Sequence, residues 1–157
     1  MGELNMNSGI EMQEEQTQPV LSIRTRAAVQ DLPRLIAESY GKIMQYMSQI
    51  GKQPAGVPFV AYYNLDMQDL DLEIGFPVME PLEGNDEINK SEIPAGKYVS
   101  IMYKGPYMGM EKPYADMANW IEVNGYKAKG ISYEYYYNSP MEVPESELLT
   151  RIVMPVE

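Results

Sequence analysis

The sequence predicts an α+β fold, in which two copies of a strand-helix-strand-strand unit form one antiparallel-rich sheet. Both helices lie on one face of this sheet, and the other face offers a groove for a ligand. Three observations support this: the two halves of the chain match each other, two stretches have helical apolar spacing, and six segments look extended.

The internal duplication is visible as three matched pairs of segments in a constant order. Each pair is separated by 74 to 78 residues, an offset that is hard to obtain by chance. The pairs are LSIRTR from Leu21 with VSIMYK from Val99, AYYN ending at Asn64 with YYYN ending at Asn138, and LEIGFPV ending at Val78 with TRIVMPV ending at Val156. We therefore predict a single domain over residues 17–157, with repeat one at about 18–80 and repeat two at about 92–157. Residues 1–16 are polar and acidic and are expected to form a flexible tail.

Two segments have the three-to-four residue apolar spacing of amphipathic helices. The first is predicted from Asp31 to Ile50, with Asp31 capping its start and Gly51 following its end. The second is predicted from Met110 to Val123, where Met110, Tyr114, Met117 and Ile121 share one face.

The remaining segments are predicted to be strands because clusters of Gly, Pro, Asn or Asp bound each of them. The predicted strands are Val20–Ala27, Val57–Tyr63, Leu70–Val78, Lys97–Lys104, Gly130–Tyr137 and Glu147–Val156, with a short extra strand near Glu92–Pro94. The two helices bury their apolar faces against one side of the sheet. The other side is left to form a groove where the repeats meet, a position that suits a ligand.

Composition excludes several classes of function. The 157-residue chain has no cysteine and no histidine, which excludes disulfides, thiol catalysis, a Ser-His-Asp triad and zinc sites built on those residues. Its formal net charge of −11 disfavours nucleic-acid partners. No apolar run is long enough to cross a membrane, and the start of the chain does not resemble a signal peptide. We expect a cytoplasmic protein that needs no cofactor and no metal.

The second half of the chain contains a recognisable series of motifs. They are IPAGKYVSIMYKGPY at Ile93–Tyr107, NW ending at Trp120, YEYYYNSP at Tyr133–Pro140 and IVMPV at Ile152–Val156. In this order and spacing they resemble the GyrI-like small-molecule-binding domain, a family that includes the effector-binding domains of AraC-type and MerR-type multidrug regulators. The resemblance extends over Gln18–Glu157. No DNA-binding domain accompanies it here, so a free-standing binder or enzyme is expected.

The resemblance implies a central groove, where a glutamate on the penultimate strand meets cationic drugs and aromatic rings stack around it. The residue that matches this glutamate is Glu134, and Trp120 matches the aromatic residue at the helix end. The residues themselves support the same interpretation. Glu134 alternates with Ser132 and Tyr136 in a tyrosine-rich strand, where burial raises the pKa of a carboxyl group. Val60 stands at the equivalent position in repeat one, so the fold itself does not need an acid there.

Several aromatic side chains are further candidates for ligand contacts, because the chain has 13 Tyr against 2 Phe and 1 Trp. The candidates are Tyr62, Tyr103, Tyr107, Trp120 and Tyr136. Each also has a structural interpretation, as a ring that covers the core or as a helix anchor. Glu73 is a weaker candidate for a second carboxylate in the groove.

Three functions remain open at this point. The chain can be a module that captures cationic, aromatic or electrophilic compounds for multidrug binding or detoxification. It can be a hydrolase of strained electrophiles such as cyclopropanoids, with Glu134 as the base and Tyr103 as the proton donor. It can also be a protein that modulates gyrase, although no residue specifies a protein partner.

Overall fold

The computed structural model describes residues 9–157 and contains eight strands and two α-helices in this range. In chain order they are β1 (Glu11–Glu15), β2 (Gln18–Ala27), α1 (Leu32–Gln49), β3 (Phe59–Tyr62), β4 (Leu70–Pro77), β5 (Asn89–Ile93), β6 (Gly96–Lys104), α2 (Glu111–Val123), β7 (Ser132–Tyr136) and β8 (Leu149–Val156). All strand pairs within the units described below are antiparallel. The predicted α+β class is therefore confirmed. Neither helix in the described range is long and apolar enough to span a bilayer.

The chain divides into two compact units. One unit comprises Gln16–Ala95, and its strands pair in the order β3-β4-β2-β5. The other comprises Gly96–Glu157 with the described residues up to Glu15, and its strands pair in the order β1-β6-β8-β7. Each unit thus contains one strand-helix-strand-strand repeat and one additional edge strand.

The edge strands are exchanged between the repeats. β1 precedes repeat one in the sequence but pairs with β6, whereas β5 precedes repeat two but pairs with β2. Glu11–Glu15 was expected to belong to a flexible tail, and its assignment to β1 corrects that expectation. All five residues of β1 are exposed, so the segment has no apolar alternation that would have revealed a strand. Residues 1–8 of the predicted tail lie outside the described range.

The two helices bury equivalent residues against their sheets. In α1 the buried positions are Ser39, Ile43 and Met47, and in α2 they are Pro113, Met117 and Ile121. Each residue of the second set follows its counterpart by 74 positions. Helix α1 packs in a cluster with strand residues such as Leu21 and Phe76, and α2 packs in a cluster with Val99 and Ile152.

The predicted cap of the first helix is not formed. Asp31 immediately precedes α1, but its side chain makes no capping hydrogen bond. The residue ends a short 3-10 turn, Val29–Asp31, and has helical backbone angles of φ −92° and ψ −4°. A capping side chain usually requires extended backbone angles at this position. Because Asp31 belongs to the preceding 3-10 turn, its backbone does not have the geometry that a capping side chain needs.

Candidate functional site

Glu134 is the third residue of the short strand β7, directly opposite Ile152 in β8. Ile152 is fully buried in the cluster that contains Met117 and Ile121 of α2. Residues directly opposite each other on paired strands point to the same face of the sheet. Glu134 therefore lies on the face that carries the helix, and not on the uncovered face where the ligand groove was predicted. Val60 occupies the equivalent position in repeat one and is fully buried in its own unit. An apolar residue at that position in the sequence already indicated that it faces the helix.

Both oxygens of the Glu134 carboxylate accept hydrogen bonds from tyrosines. The hydroxyl of Tyr136, two residues along the same strand, donates to Oε1 at 2.7 Å. The hydroxyl of Tyr114, in the second turn of α2, donates to Oε2 and also lies 3.3 Å from Ser132 Oγ. The carboxylate is thereby fixed between the helix and the strand.

The surroundings of Glu134 raise the pKa of its carboxyl group. The main cause is burial, which removes water from the charged form. The hydrogen bonds from Tyr114 and Tyr136 act in the opposite direction and stabilise the carboxylate, but they do not cancel the effect of burial. The group is thus an acid that is half-buried and able to exchange protons at a higher pH than an exposed glutamate.

A third tyrosine lies beside this pair. Tyr107 begins a short 3-10 turn, Tyr107–Gly109, just before α2, and its ring meets the ring of Tyr136 edge to face at a centroid distance of 5.9 Å. Burial raises the pKa of the Tyr107 hydroxyl, and the negative charge of Glu134 raises it further. The ring remains 42% exposed, so it forms a solvent-facing side of the cluster. The structure therefore brings three of the candidate residues together, namely Glu134, Tyr136 and Tyr107.

Tyr103 and Trp120 each have a local structural contact. The Tyr103 hydroxyl donates to the carbonyl oxygen of Pro106 at 2.7 Å. A Cβ atom at Gly109 would collide with that hydroxyl, so the turn after β6 is built around it. Trp120 stacks on Tyr126 with an interplanar angle of 2° and a centroid distance of 6.3 Å. Both rings also pack against the buried cluster under α2.

The other two candidates, Tyr62 and Glu73, belong to the unit formed by Gln16–Ala95. Tyr62 ends β3 opposite Leu72 and is half-buried. Glu73 is only 6% exposed, and its carboxylate accepts hydrogen bonds from Ser22 Oγ at 2.6 Å and from the Tyr63 hydroxyl at 2.5 Å. Burial raises the pKa of Tyr63, and the hydrogen bond to Glu73 adds to that increase. This unit therefore has its own buried carboxylate held by two hydroxyl groups.

Tyr114, which donates to Glu134, was not among the candidate residues from the sequence. It was assigned to the apolar face of the second helix together with Met117 and Ile121, and the structure agrees with that placement. A tyrosine on a buried helix face must find a partner for its hydroxyl, and the nearest acid in the sheet is the natural one. The contact between the Tyr114 hydroxyl and Glu134 depends on how the helix packs against the strand, which the sequence does not show.

Comparison with known proteins agrees with this architecture. The family model of the GyrI-like small molecule binding domain matches residues 8–157. A search of curated proteins finds no significant match. Among solved structures, the fold is similar to EcmrR in its DNA complex, with a TM-score of 0.81 and 24% identity over 94% of this chain. This chain spans 57% of the length of that EcmrR chain.

Two further solved structures show the same fold at lower identity. A hydrolase from Listeria innocua has a TM-score of 0.68 and 15% identity, and the alignment covers 96% of this chain and 92% of that one. SAV2435 bound to tetraphenylphosphonium has a TM-score of 0.61 and 12% identity, with 94% and 93% of the two chains covered. The family model covers nearly the whole sequence, and the architecture agrees with it. The chain therefore belongs to the GyrI-like small molecule binding domain family.

Proposed function

We propose that this protein captures lipophilic organic cations, with Glu134 as the counter-charge and the rings of Tyr107 and Tyr136 as the stacking surfaces. The observation that carries the proposal is the carboxylate whose two oxygens are both held by tyrosine hydroxyls. Such a group is oriented in advance and partly shielded from water. It can therefore attract a cation that has few hydrogen-bond donors of its own.

The energetics favour a large cation with delocalised charge over a small hydrated one. Burial has already removed part of the hydration of Glu134, so a nearby positive charge interacts with it more strongly than in bulk water. Each aromatic face contributes about 0.5–2 kcal/mol to the binding of a cation above it. A lipophilic cation loses little hydration on entry and gains both contributions.

The similarity to SAV2435, which was solved with tetraphenylphosphonium, makes that ion a suitable probe. Capture of a cation can serve more than one biological role. A domain that holds toxic cations can act by sequestration, as detoxification, or as the sensing part of a transcription regulator. Both uses need only binding and release of the ligand.

Isothermal titration of tetraphenylphosphonium tests the proposal directly. We expect the wild-type protein to bind and the Glu134→Gln variant to bind at least tenfold more weakly, because the substitution removes the charge but keeps the size of the side chain. A tenfold loss corresponds to about 1.4 kcal/mol. Glu73→Gln is the matched control, since it makes the same change at a carboxylate that also accepts two hydroxyl hydrogen bonds. Equal affinities for wild type and Glu134→Gln would refute the proposal.

A hydrolase is the second candidate function. The raised pKa of Glu134 makes its carboxylate a stronger base than that of an exposed glutamate, and one similar fold is that of a hydrolase. Tyr114 and Tyr136 already donate to the carboxylate, so either can relay a proton to a leaving oxygen. Tyr103, the donor expected from the sequence, instead donates to a backbone carbonyl.

Turnover separates the two candidate functions. Cyclopropane-bearing DNA alkylators are incubated with wild type and with Glu134→Gln, and the ring-opened product is followed by chromatography. Catalysis requires product formation by wild type and its loss in the variant, while a neutral ligand still binds to both. Binding without product formation leaves capture as the function.

A further inference from the structure

Thr150 has the single orphaned buried side-chain polar atom among residues 9–157. The residue is fully buried in β8, and its Oγ1 makes no hydrogen bond to any other atom of that range. Buried hydroxyl groups nearly always have a partner, because a hydroxyl without one has lost its hydrogen bonds to water and gained nothing in return. Such an atom calls for an explanation.

The strand register places this hydroxyl beside the Glu134 cluster. Thr150 lies directly opposite Tyr136 of β7 on one side and Tyr103 of β6 on the other. It is two residues before Ile152, the residue opposite Glu134, so the two β8 side chains share the helix-bearing face. The orphaned hydroxyl and the carboxylate therefore lie on the same face of adjacent strands.

The other repeat shows that the fold does not require a hydroxyl at this position. Leu72 is the counterpart of Thr150, 78 residues earlier, and it is also fully buried. An apolar side chain fills the equivalent place and needs no partner. The unit that contains Glu134 has the hydroxyl of Thr150 at this position instead. It is also the unit in which we place the ligand.

We propose that Thr150 is a further ligand-binding residue, whose hydroxyl meets a hydrogen-bonding group that the ligand carries close to its cationic centre. This inference rests on the proposed capture of cations and specifies the ligand class more closely: a lipophilic cation with a hydroxyl, ether or carbonyl group, rather than a purely hydrocarbon cation. Thr150 is fully buried, so contact requires a neighbouring side chain on this face to move when the ligand enters, and Tyr136 is the neighbour directly opposite on β7. Tyr107 packs against the ring of Tyr136 and is partly exposed, so it can move with it.

The test compares a parent cation with three isomers that carry one additional hydroxyl, at a pH low enough to keep the phenol protonated and the charge equal. Tetraphenylphosphonium is titrated beside the three isomers of (hydroxyphenyl)triphenylphosphonium. We expect at least one isomer to bind wild type about tenfold more tightly than the parent ion, which is the effect of one additional hydrogen bond. Thr150→Val keeps the shape of the side chain and removes the hydroxyl. It is expected to abolish that preference while the affinity for the parent ion stays within about twofold.

A matched variant and a stability measurement accompany the titration. Thr25→Val makes the same substitution opposite Leu72 in the other unit, where it should leave all four affinities unchanged. In thermal unfolding without ligand, Thr150→Val should melt at a higher temperature than wild type, because the orphaned hydroxyl is gone. A lower melting temperature would show that the hydroxyl already has a partner in the free protein and would overturn the inference.

The outcomes also separate this inference from the proposed function. If the parent ion binds in a Glu134-dependent way but no isomer gains affinity, or Thr150→Val keeps the gain, the role of Thr150 is wrong and capture of cations stands. If no phosphonium ion binds to wild type, the proposed function fails and the role of Thr150 fails with it.

Discussion

The two repeats share a framework, yet the strand position that faces the helix carries an apolar residue in one and an acid in the other. In repeat one the strand position is Val60, fully buried, and in repeat two it is the half-buried Glu134. Repeat one therefore packs its helix against its sheet without an acid at this position. The carboxylate in repeat two is therefore an addition to the fold and not a requirement of it.

The helix tyrosines of the two repeats differ in the same way. Tyr40 and Tyr114 are 74 residues apart and occupy the same helix position. The Tyr40 hydroxyl donates to the backbone carbonyl of Phe59 at 3.2 Å, and its ring packs on Phe76. The Tyr114 hydroxyl donates to the side chain of Glu134. The Tyr40 hydroxyl thus satisfies a backbone carbonyl, whereas the Tyr114 hydroxyl orients the carboxylate of Glu134.

The opposite faces of the two sheets show a reversal of charge. In repeat one the position is Glu73, hydrogen-bonded to Ser22 and Tyr63. Its counterpart 78 residues later is Arg151, whose guanidinium donates to Ser100 Oγ at 3.3 Å and to Gln13 Oε1 at 3.2 Å. Each repeat therefore has one carboxylate that accepts two hydroxyl hydrogen bonds, and the two lie on different faces of their sheets, so Glu73 is not the symmetry mate of Glu134.

The largest expected effect comes from placing the acid in the wrong repeat. Val60→Glu should lower the free energy of unfolding by about 3 kcal/mol or more, since a fully buried position would receive a polar group larger than valine. Tyr40 cannot easily serve as its donor, because its hydroxyl already bonds to Phe59. Urea denaturation measures the change. A loss below about 1 kcal/mol would show that the two interfaces are interchangeable.

The reverse exchange removes the acid from repeat two. Glu134→Val should leave the free energy of unfolding within about 1 kcal/mol of wild type, because the Tyr114 hydroxyl still has Ser132 Oγ within 3.3 Å, the half-buried Tyr136 hydroxyl can turn to water, and the desolvation cost of the carboxylate is gone. Binding of tetraphenylphosphonium should be lost. Urea denaturation and titration are run on the same preparation. Severe unfolding of this variant would mean that the acid supports the fold.

The helix tyrosines offer a smaller and more specific contrast. Tyr114→Phe removes a hydrogen bond that stabilises the charged form of Glu134, so the pKa of Glu134 should rise further. The affinity for tetraphenylphosphonium should then rise with pH through a higher midpoint than in wild type. Tyr40→Phe, the matched control, should leave that midpoint unchanged. Titration at a series of pH values is the measurement, and identical midpoints for all three proteins would contradict the assignment.

The smallest effect is a pH dependence of stability. The pKa of Glu134 is higher in the folded chain than in an exposed glutamate, so the folded state binds the proton more tightly. Stability should therefore fall as pH rises from the unfolded pKa of about 4.3 through the folded pKa, and this contribution should be constant above it. Thermal melts of wild type and Glu134→Gln across this range isolate the contribution. A difference between the two that does not change with pH would argue against the raised pKa.

The sequence predicted most of the framework for physical reasons that are local. Helices and most strands have apolar periods of their own, so Leu32–Gln49 and Leu70–Pro77 were predicted to within a residue or two. β1 was missed because it is an exposed edge strand held by backbone hydrogen bonds to β6. The Asp31 cap was wrongly expected because a preceding 3-10 turn replaces it.

The candidate site divides in the same way. Glu134 became a candidate because it matches the glutamate of the GyrI-like family, and the contrast with its apolar counterpart Val60, which is visible in one sequence, supports that choice. The partnership with Tyr114 was not readable, since 20 residues separate the two and only the docking of the helix brings them together. The orphaned hydroxyl of Thr150 was hidden as well, because a hydroxyl without a partner can be recognised only among its neighbours.

The sequence by itself determined the duplication, the α+β class and the order of the repeated strands and helices, because these depend on periodicity and on residue types. Tertiary packing alone decided which face Glu134 occupies, which tyrosines hold its oxygens and which strand completes each sheet. The physical reason is that hydrogen bonds between side chains and pairing between edge strands depend on distances across elements. Such distances are not encoded in any local pattern of residues.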